Sequence, residues 1–274
     1  MKLVERIENI INEKIIELKE TSYGITNKNY IVKTQNKTYF CRVPKDMTTI
    51  NNKKNELEAI NLLKNEDYFL EIVYYDKNLL ITEFKPNSKT FISNKNLSSI
   101  LEIAKILKKL HNKNIKTESI FNPIETLEQY RYKIYQYPKD KNLTQFDFLI
   151  KKFEKHYKPD RLCHNDLVEG NFLFADNKIY LIDFEYSGLN DYYFDIASFI
   201  SENDLNYQEI VTFLKAYFDK ENCDFEKLDV FLKFSDLLWF NWAWMLYEIR
   251  QEEIYKFIAE EKYNKLVKPR KIVY

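Results

Sequence analysis

Three glycines in 274 residues, Gly24, Gly170 and Gly188, limit the loops this chain can build. At ordinary usage of about 7%, a chain of this length would carry about 19. The dinucleotide fingerprint G-x-G-x-x-G needs three within six residues, and a Walker A loop needs two followed by Lys and Ser or Thr. Neither pattern occurs, and the Gly-rich loop of protein kinases is missing too. In a chain that otherwise avoids glycine, these three are expected to mark backbone freedom or close approach.

Charge excludes another group of functions. Lys plus Arg and Asp plus Glu both total 42, giving a formal net charge of zero. No bulk attraction to nucleic acid or to an anionic membrane follows from such a balance. Cys41, Cys163 and Cys223 are odd in number, far apart and form no C-x-x-C pair, which predicts reduced thiols and no structural zinc. The N-terminus has no uninterrupted apolar segment of the secretory kind. The most apolar stretch, Leu237 to Leu246, is about half a membrane span and contains Asn241. The expectation is a soluble, cytoplasmic protein with no nucleic-acid partner and no membrane insertion.

Apolar spacing gives the outline. Leu3, Ile7, Ile10, Ile11, Ile15 and Leu18 predict an opening amphipathic helix over 3–18. The strand-forming runs 30–33 and 39–43, around the turn Gln35-Asn36-Lys37, predict a hairpin. A helix over 51–65 and a second hairpin over 70–75 and 79–84 follow. Beyond a polar connector at 88–96, helices are expected over 97–112, 124–136 and 144–157, and about four more between 190 and 266. The exception is 161–188, with strands at 172–174 and 179–182. The fold class expected is α+β: a small lobe with an antiparallel sheet over 1–86, then a larger, mainly helical lobe over 87–274.

The chemistry is concentrated in His164-Asn165-Asp166-Leu167-Val168-Glu169-Gly170-Asn171, followed by Asp183-Phe184-Glu185. This is H-x-D-x-x-x-x-N, a hairpin, then D-F-x. In phosphoryl transfer the first Asp aligns and deprotonates the acceptor hydroxyl, while the Asn and the second Asp hold the Mg²⁺ that bridges the ATP phosphates. A hairpin between Asn171 and Asp183 would bring those two together.

CHNDLVEGNFLF with LIDFEYSG, and the later run Asn190-Asp191 to Phe194-Asp195-Ile196-Ala197, resemble the choline/ethanolamine kinases of bacterial type, within the aminoglycoside phosphotransferase and protein-kinase-like group. The resemblance implies a protein-kinase-like two-lobed fold and further site residues. Thr26 and Asn27, after Gly24, resemble the loop that covers the phosphates. Arg42 lies where protein kinases carry a strand Lys, and bacterial choline kinases resemble this chain in having Arg there. A guanidinium can bind phosphate bidentately. Glu56 is the carboxylate expected to orient Arg42, with Glu58 as the competing choice. Glu83 and Phe84 resemble the hinge whose backbone meets adenine. His111 receives no catalytic role, and Asp195 is expected to hold the catalytic loop rather than a ligand.

The acceptor is read from aromatic residues. Trp239, Trp242 and Trp244 share one helical stretch, and residues three apart lie on one face. Such clusters are usually core, but paired aromatic faces also hold a trimethylammonium head by cation–π attraction. The resemblance shifts the balance toward Trp239 and Trp242, and Trp244 is expected in the core. Glu185 and Tyr186, beside the metal Asp, could add a wall. Glu202 resembles a family acid that adds negative charge near the cation, and Tyr255 or Phe257 could close the cage. The resemblance therefore implies an ATP- and Mg²⁺-dependent kinase phosphorylating choline. Ethanolamine, thiamine, an amino sugar or an aminoglycoside are alternative acceptors, and a non-catalytic kinase-like binding protein is the alternative from another class.

Overall fold

The computed structural model describes residues 3–21, 24–45, 53–219 and 222–268. The first two residues of the helix expected over 51–65 lie outside them. The chain forms two compact units. One comprises Met1–Lys95 with Glu169–Tyr186, the other Asn96–Val168 with Ser187–Tyr274. Where the sequence predicts a single cut after residue 86, packing groups 169–186 with the N-terminal residues.

The first unit opens with helix α1 (Leu3–Ile11) and strands β1 (Glu17–Thr21), β2 (Asn27–Lys33) and β3 (Thr38–Pro44). Helix α2 (Lys53–Leu63), strands β4 (Ile72–Asp76) and β5 (Leu79–Glu83), and the short helix α3 (Phe91–Asn94) follow. The five strands form one antiparallel sheet in the order β1-β2-β3-β5-β4. Ile7 of α1 packs with Val32, Tyr39, Cys41, Leu79 and Ile81 as a buried cluster on one face of it. Side chains alternate along a strand, so Cys41 in this cluster puts Arg42 on the opposite face.

The helix expected over 3–18 stops at Ile11. Asn12 takes a left-handed φ of 54°, which Asn tolerates, and the Ile15 N–H goes to the Glu8 carboxylate at 2.9 Å. Ile15 and Leu18 still reach the same apolar cluster, so helical spacing continued where the helix did not. The hairpin turn is tied by Thr34, whose Oγ1 accepts from the Asn36 and Lys37 N–H groups.

Two later strands, β7 (Phe172–Ala175) and β8 (Lys178–Leu181), complete this unit as an antiparallel pair. They join it through the bridges Phe69–Leu181 and Lys89–Phe174.

The second unit is mainly helical: α4 (Leu97–His111), α5 (Pro123–Lys133), α6 (Phe148–His156), α7 (Tyr192–Glu202), α8 (Tyr207–Phe218), α9 (Phe225–Arg250) and α10 (Glu253–Val267). Its short strands β6 (Arg161–Cys163) and β9 (Gly188–Asn190) pair antiparallel. Asn96 with Ser99, and Asn206 with Glu209, form reciprocal capping boxes that fix where α4 and α8 begin. Ile100, Ile103, Ala104, Leu107 and Leu110 bury one stripe of α4. Among the described residues no helix is long and apolar enough to cross a membrane.

Candidate active site

In the first unit the β7–β8 hairpin returns the chain as its spacing predicted. Ile182 N–H donates to the Asn171 carbonyl at 3.1 Å, one residue before Asp183. Asn171 is buried, while the Asp183 side chain keeps 30% of its exposure. Asp183 adopts a left-handed φ of 66°, a conformation rare outside Gly, Asn and Asp. That turn ends the buried strand and frees the carboxylate from the ladder.

Arg42 is the centre of this half. Its two terminal nitrogens donate to different carboxylates, Nη1 to Asp183 and Nη2 to Glu56. Glu56 on α2, 1% exposed, is thus the orienting acid in preference to Glu58. Tyr75, which no sequence motif marks, donates its hydroxyl to the other Glu56 oxygen at 2.7 Å. Burial alone would disfavour the Arg42 charge; Asp183, Glu56 and Glu185 outweigh it and drive the pKa further up, so the guanidinium is permanently charged. Three carboxylates act on one guanidinium here, leaving an excess of negative charge. Hard oxygen donors with surplus negative charge suit a divalent cation such as Mg²⁺.

Other expected residues of this unit vary in fit. Asn27 is buried and donates from Nδ2 to Thr26 Oγ1 at 3.2 Å. Gly24, with φ of +79°, precedes them; an added Cβ would stand 2.8 Å from Asn29 Nδ2, so this turn requires glycine. Gly170 corrects the expectation: it has no positive φ, and an added Cβ would meet nothing within 4 Å. Glu83 and Phe84 do stand at the end of β5, but their N–H groups donate to the Glu71 and Thr38 carbonyls at 3.2 and 3.3 Å. An adenine edge would therefore have to be met by carbonyls or by neighbouring backbone. The Glu83 side chain pairs with Lys85 at 2.8 Å. Glu185 and Tyr186 are both buried in this unit.

In the second unit Asp166 is half-buried on a loop held from α7. Asp195, fully buried, accepts the His164 N–H at 2.8 Å and the Asn165 N–H at 2.7 Å. Ser198 Oγ accepts the Leu167 N–H at 3.1 Å, and Asn203 Nδ2 donates to the Leu167 carbonyl at 2.8 Å. Asn165 turns the chain with a left-handed φ of 70°, and Asn190 donates to its side chain at 2.7 Å. The loop before Asp166 is over-determined by buried hydrogen bonds, which hold it in one conformation. The structural roles expected for Asp195 and His111 agree with this geometry: His111 Nε2 meets Asp195 at 2.9 Å and Nδ1 meets the Tyr217 hydroxyl at 2.7 Å.

His111, Cys163 and Asp195 place their ligand atoms within 4.8 Å of one another. Burial pushes the Cys163 thiol well up, so it stays protonated, and both His111 nitrogens are engaged. A metal needs the thiolate and a free imidazole nitrogen, so this cluster is a structural core.

The aromatic residues form a corner. Trp239 and Trp242 meet edge to face at 5.9 Å and 88°, and Trp242 meets Tyr255 at 5.7 Å and 79°. Tyr255 is fully buried and Trp239 nearly so, leaving Trp242 as the partly open ring. Phe257, the alternative to Tyr255, is 65% exposed and outside the corner. Trp244, expected in the core, is half-buried: it stacks on Phe240 at 3° and donates to the Gln136 carbonyl at 2.8 Å. Its indole N–H needs that carbonyl, which keeps one edge at the surface. Glu202, expected to add negative charge near the cation, is paired with Lys262.

The sequence matches the phosphotransferase enzyme family over residues 17–230. Protein LicA of Haemophilus influenzae is 28% identical over 242 residues, spanning 80% of this chain and 70% of that protein. The crystal structure of choline kinase LicA from Streptococcus pneumoniae aligns with a TM-score of 0.85 at 25% identity, covering 96% of this chain and 95% of that one. A structure of LicA in complex with AMP aligns with a TM-score of 0.83 at 25% identity, covering 96% of each chain.

Proposed function

Because the chain belongs to the phosphotransferase enzyme family, in the choline/ethanolamine kinase branch of the protein-kinase-like fold, and is a small-molecule kinase, we propose that its acceptor is choline. The reaction is transfer of the γ-phosphoryl group of ATP to the choline hydroxyl, giving phosphocholine and ADP. The observation that carries this reading over other acceptors is the edge-to-face corner of Trp239, Trp242 and Tyr255, which suits a cation without N–H groups.

Each residue then has a defined task. Asp166 accepts the proton of the choline hydroxyl as its oxygen bonds to the γ-phosphorus. The bond from that phosphorus to the bridging oxygen breaks, and ADP leaves with the electron pair. The Asp195 hydrogen bonds hold the loop so that the Asp166 carboxylate keeps one place. Asn171 and Asp183 would hold Mg²⁺, with Glu185 adding charge nearby; when bound, the ion neutralises phosphate charge. Arg42, fixed by Glu56, supplies a permanent positive charge to the phosphates. Thr26 and Asn27 would close on phosphate oxygens, and the backbone near Glu83 and Phe84 would take the adenine. These substrates are met in the cytoplasm.

The test is ADP release by purified protein with a panel of choline, ethanolamine, thiamine and an aminoglycoside. Choline is expected to give the highest kcat/KM. Activity on ethanolamine with none on choline overturns the acceptor. Asp166→Ala is expected to lower kcat about 10²- to 10⁴-fold, the usual contribution of a positioned base. Equal ADP release by wild type and this variant would overturn the catalytic reading and leave a binding protein.

A further inference from the structure

Glu202 is expected to add negative charge beside the acceptor's cation, yet the fold gives it a cation of its own. Lys262 donates from Nζ to Glu202 Oε2, and the two side chains keep only 4% and 12% of their exposure. Glu202 Oε1 is buried and accepts no hydrogen bond among the described residues. Lys265, whose charge also acts on Glu202, is bound elsewhere: to the Ser201 carbonyl at 2.8 Å, and to Asp204 and Glu261 at 2.9 Å each.

The pair lies along the same two helices as the aromatic corner: Ser201, beside Glu202, donates to Asp236 of α9 at 3.3 Å, and Tyr263, beside Lys262, meets Phe240 of α9 at 6.1 Å. Helices α9 and α10 are joined by Gln251 and Glu252 and pack as an antiparallel hairpin, with Trp242 against Tyr255. Lys262 is two turns beyond Tyr255 on the same face of α10. Its side chain leans toward the helix N-terminus, and so toward Tyr255. Moving along α10 from Tyr255 to Lys262 corresponds to moving back along α9 from Trp242 past Trp239. The ion pair therefore stands about one helical turn, roughly 6 Å, beyond the level of Trp239.

We propose that Lys262 determines acceptor specificity: by neutralising Glu202 it makes the site favour a quaternary over a primary ammonium. The proposal rests on the choline reading above. A primary ammonium loses strong N–H hydrogen bonds to water on burial and needs a whole carboxylate in compensation. A trimethylammonium has no N–H groups and is held by aromatic faces. A carboxylate shared with Lys262 compensates the first poorly. The quaternary cation needs no such carboxylate, because it has no N–H groups to satisfy.

The experiment compares wild type, Lys262→Met, Lys262→Arg and the double variant Glu202→Gln/Lys262→Met. It reads kcat/KM for choline and ethanolamine at saturating ATP, and the binding of each by calorimetry. Lys262→Met is expected to raise the ethanolamine-to-choline ratio about tenfold. Lys262→Arg is expected to keep the wild-type ratio, and the double variant to restore it. A purely structural Lys262 would lower both substrates together and leave the ratio alone. Should Lys262→Met fail to fold, Lys262→Gln carries the same expectation, because it keeps a donor for Glu202 without the charge. An unchanged ratio in a folded variant of an enzyme active on choline overturns this inference alone. Wild type that neither binds nor phosphorylates choline overturns the choline reading and this inference with it.

Discussion

The charges around Arg42 and the aromatic corner on α9 and α10 are both largely buried, yet they are held by opposite physics. Around Arg42, one planar guanidinium is aimed at Glu56 and Asp183, and Glu56 is aimed in turn by Tyr75. Those interactions are directional, and a buried charge without its partner is costly. The corner of Trp239, Trp242 and Tyr255 relies on area and ring orientation, which degrade gradually. A change to one atom should therefore be severe in the first region and graded in the second. It should also appear in kcat in the first and in KM in the second.

The sharpest way to break this comparison is Asp183→Asn. The amide keeps the shape and removes one negative charge facing Arg42. It is expected to lower kcat about 10²- to 10³-fold, the usual cost of losing one charge-stabilising group. Titrating Mg²⁺ against ADP release should show a weaker metal dependence, with the choline KM nearly unchanged. A large rise in choline KM at constant kcat would erase the distinction between the regions.

Arg42→Lys is a smaller perturbation of the same region. An ammonium keeps the charge but lacks the fork that reaches Glu56 and Asp183 together. The expected result is a fall in kcat of about tenfold and a loss of stability of about 1–3 kcal/mol from the guanidinium hydrogen bond lost to a buried carboxylate. Thermal melting beside steady-state kinetics checks both. Wild-type kcat would show that charge alone matters at Arg42.

What was legible in the sequence follows the same division. The return of the chain from Asn171 to Asp183 could be read because the intervening hairpin leaves their spacing little freedom. Glu56 and Glu58 could not be separated by spacing; the structure separates them because Glu56 is the one that meets Arg42. Tyr75 and Lys262 carried no signal, since each reaches its carboxylate only through tertiary packing. The length of α1 was misread because Ile15 and Leu18 keep helical spacing while packing from non-helical backbone. Gly170 was misread because scarcity of glycine does not report φ.

Trp242→Ala probes the graded side. Loss of the partly open ring is expected to raise the choline KM about tenfold, for 1–2 kcal/mol of cation–π attraction. The ATP KM and kcat should change little. An unchanged choline KM would return Trp242 to the core and leave the corner a packing feature.

The smallest effect tests the strand behind Arg42 without touching the chemistry. Cys41 faces the apolar cluster of α1, and burial pushes its thiol up from the ordinary 9.0 to about 12. Between those values the unfolded chain ionises this group while the fold keeps it protonated. Its contribution to stability is complete below pH 9 and is lost as pH rises through about 12. The slope from this one group is at most about 1.4 kcal/mol per pH unit. Melting curves from pH 8 to pH 11 should therefore fall less steeply in Cys41→Ala than in wild type, although the variant starts lower through lost packing. Parallel curves would remove Cys41 from the alkaline transition. The same variant sharpens the comparison of regions. If it lowers kcat with the choline KM unchanged, the position of β3 reaches the reaction through Arg42, as a directional contact requires. If kcat holds, the guanidinium is fixed by its carboxylates alone.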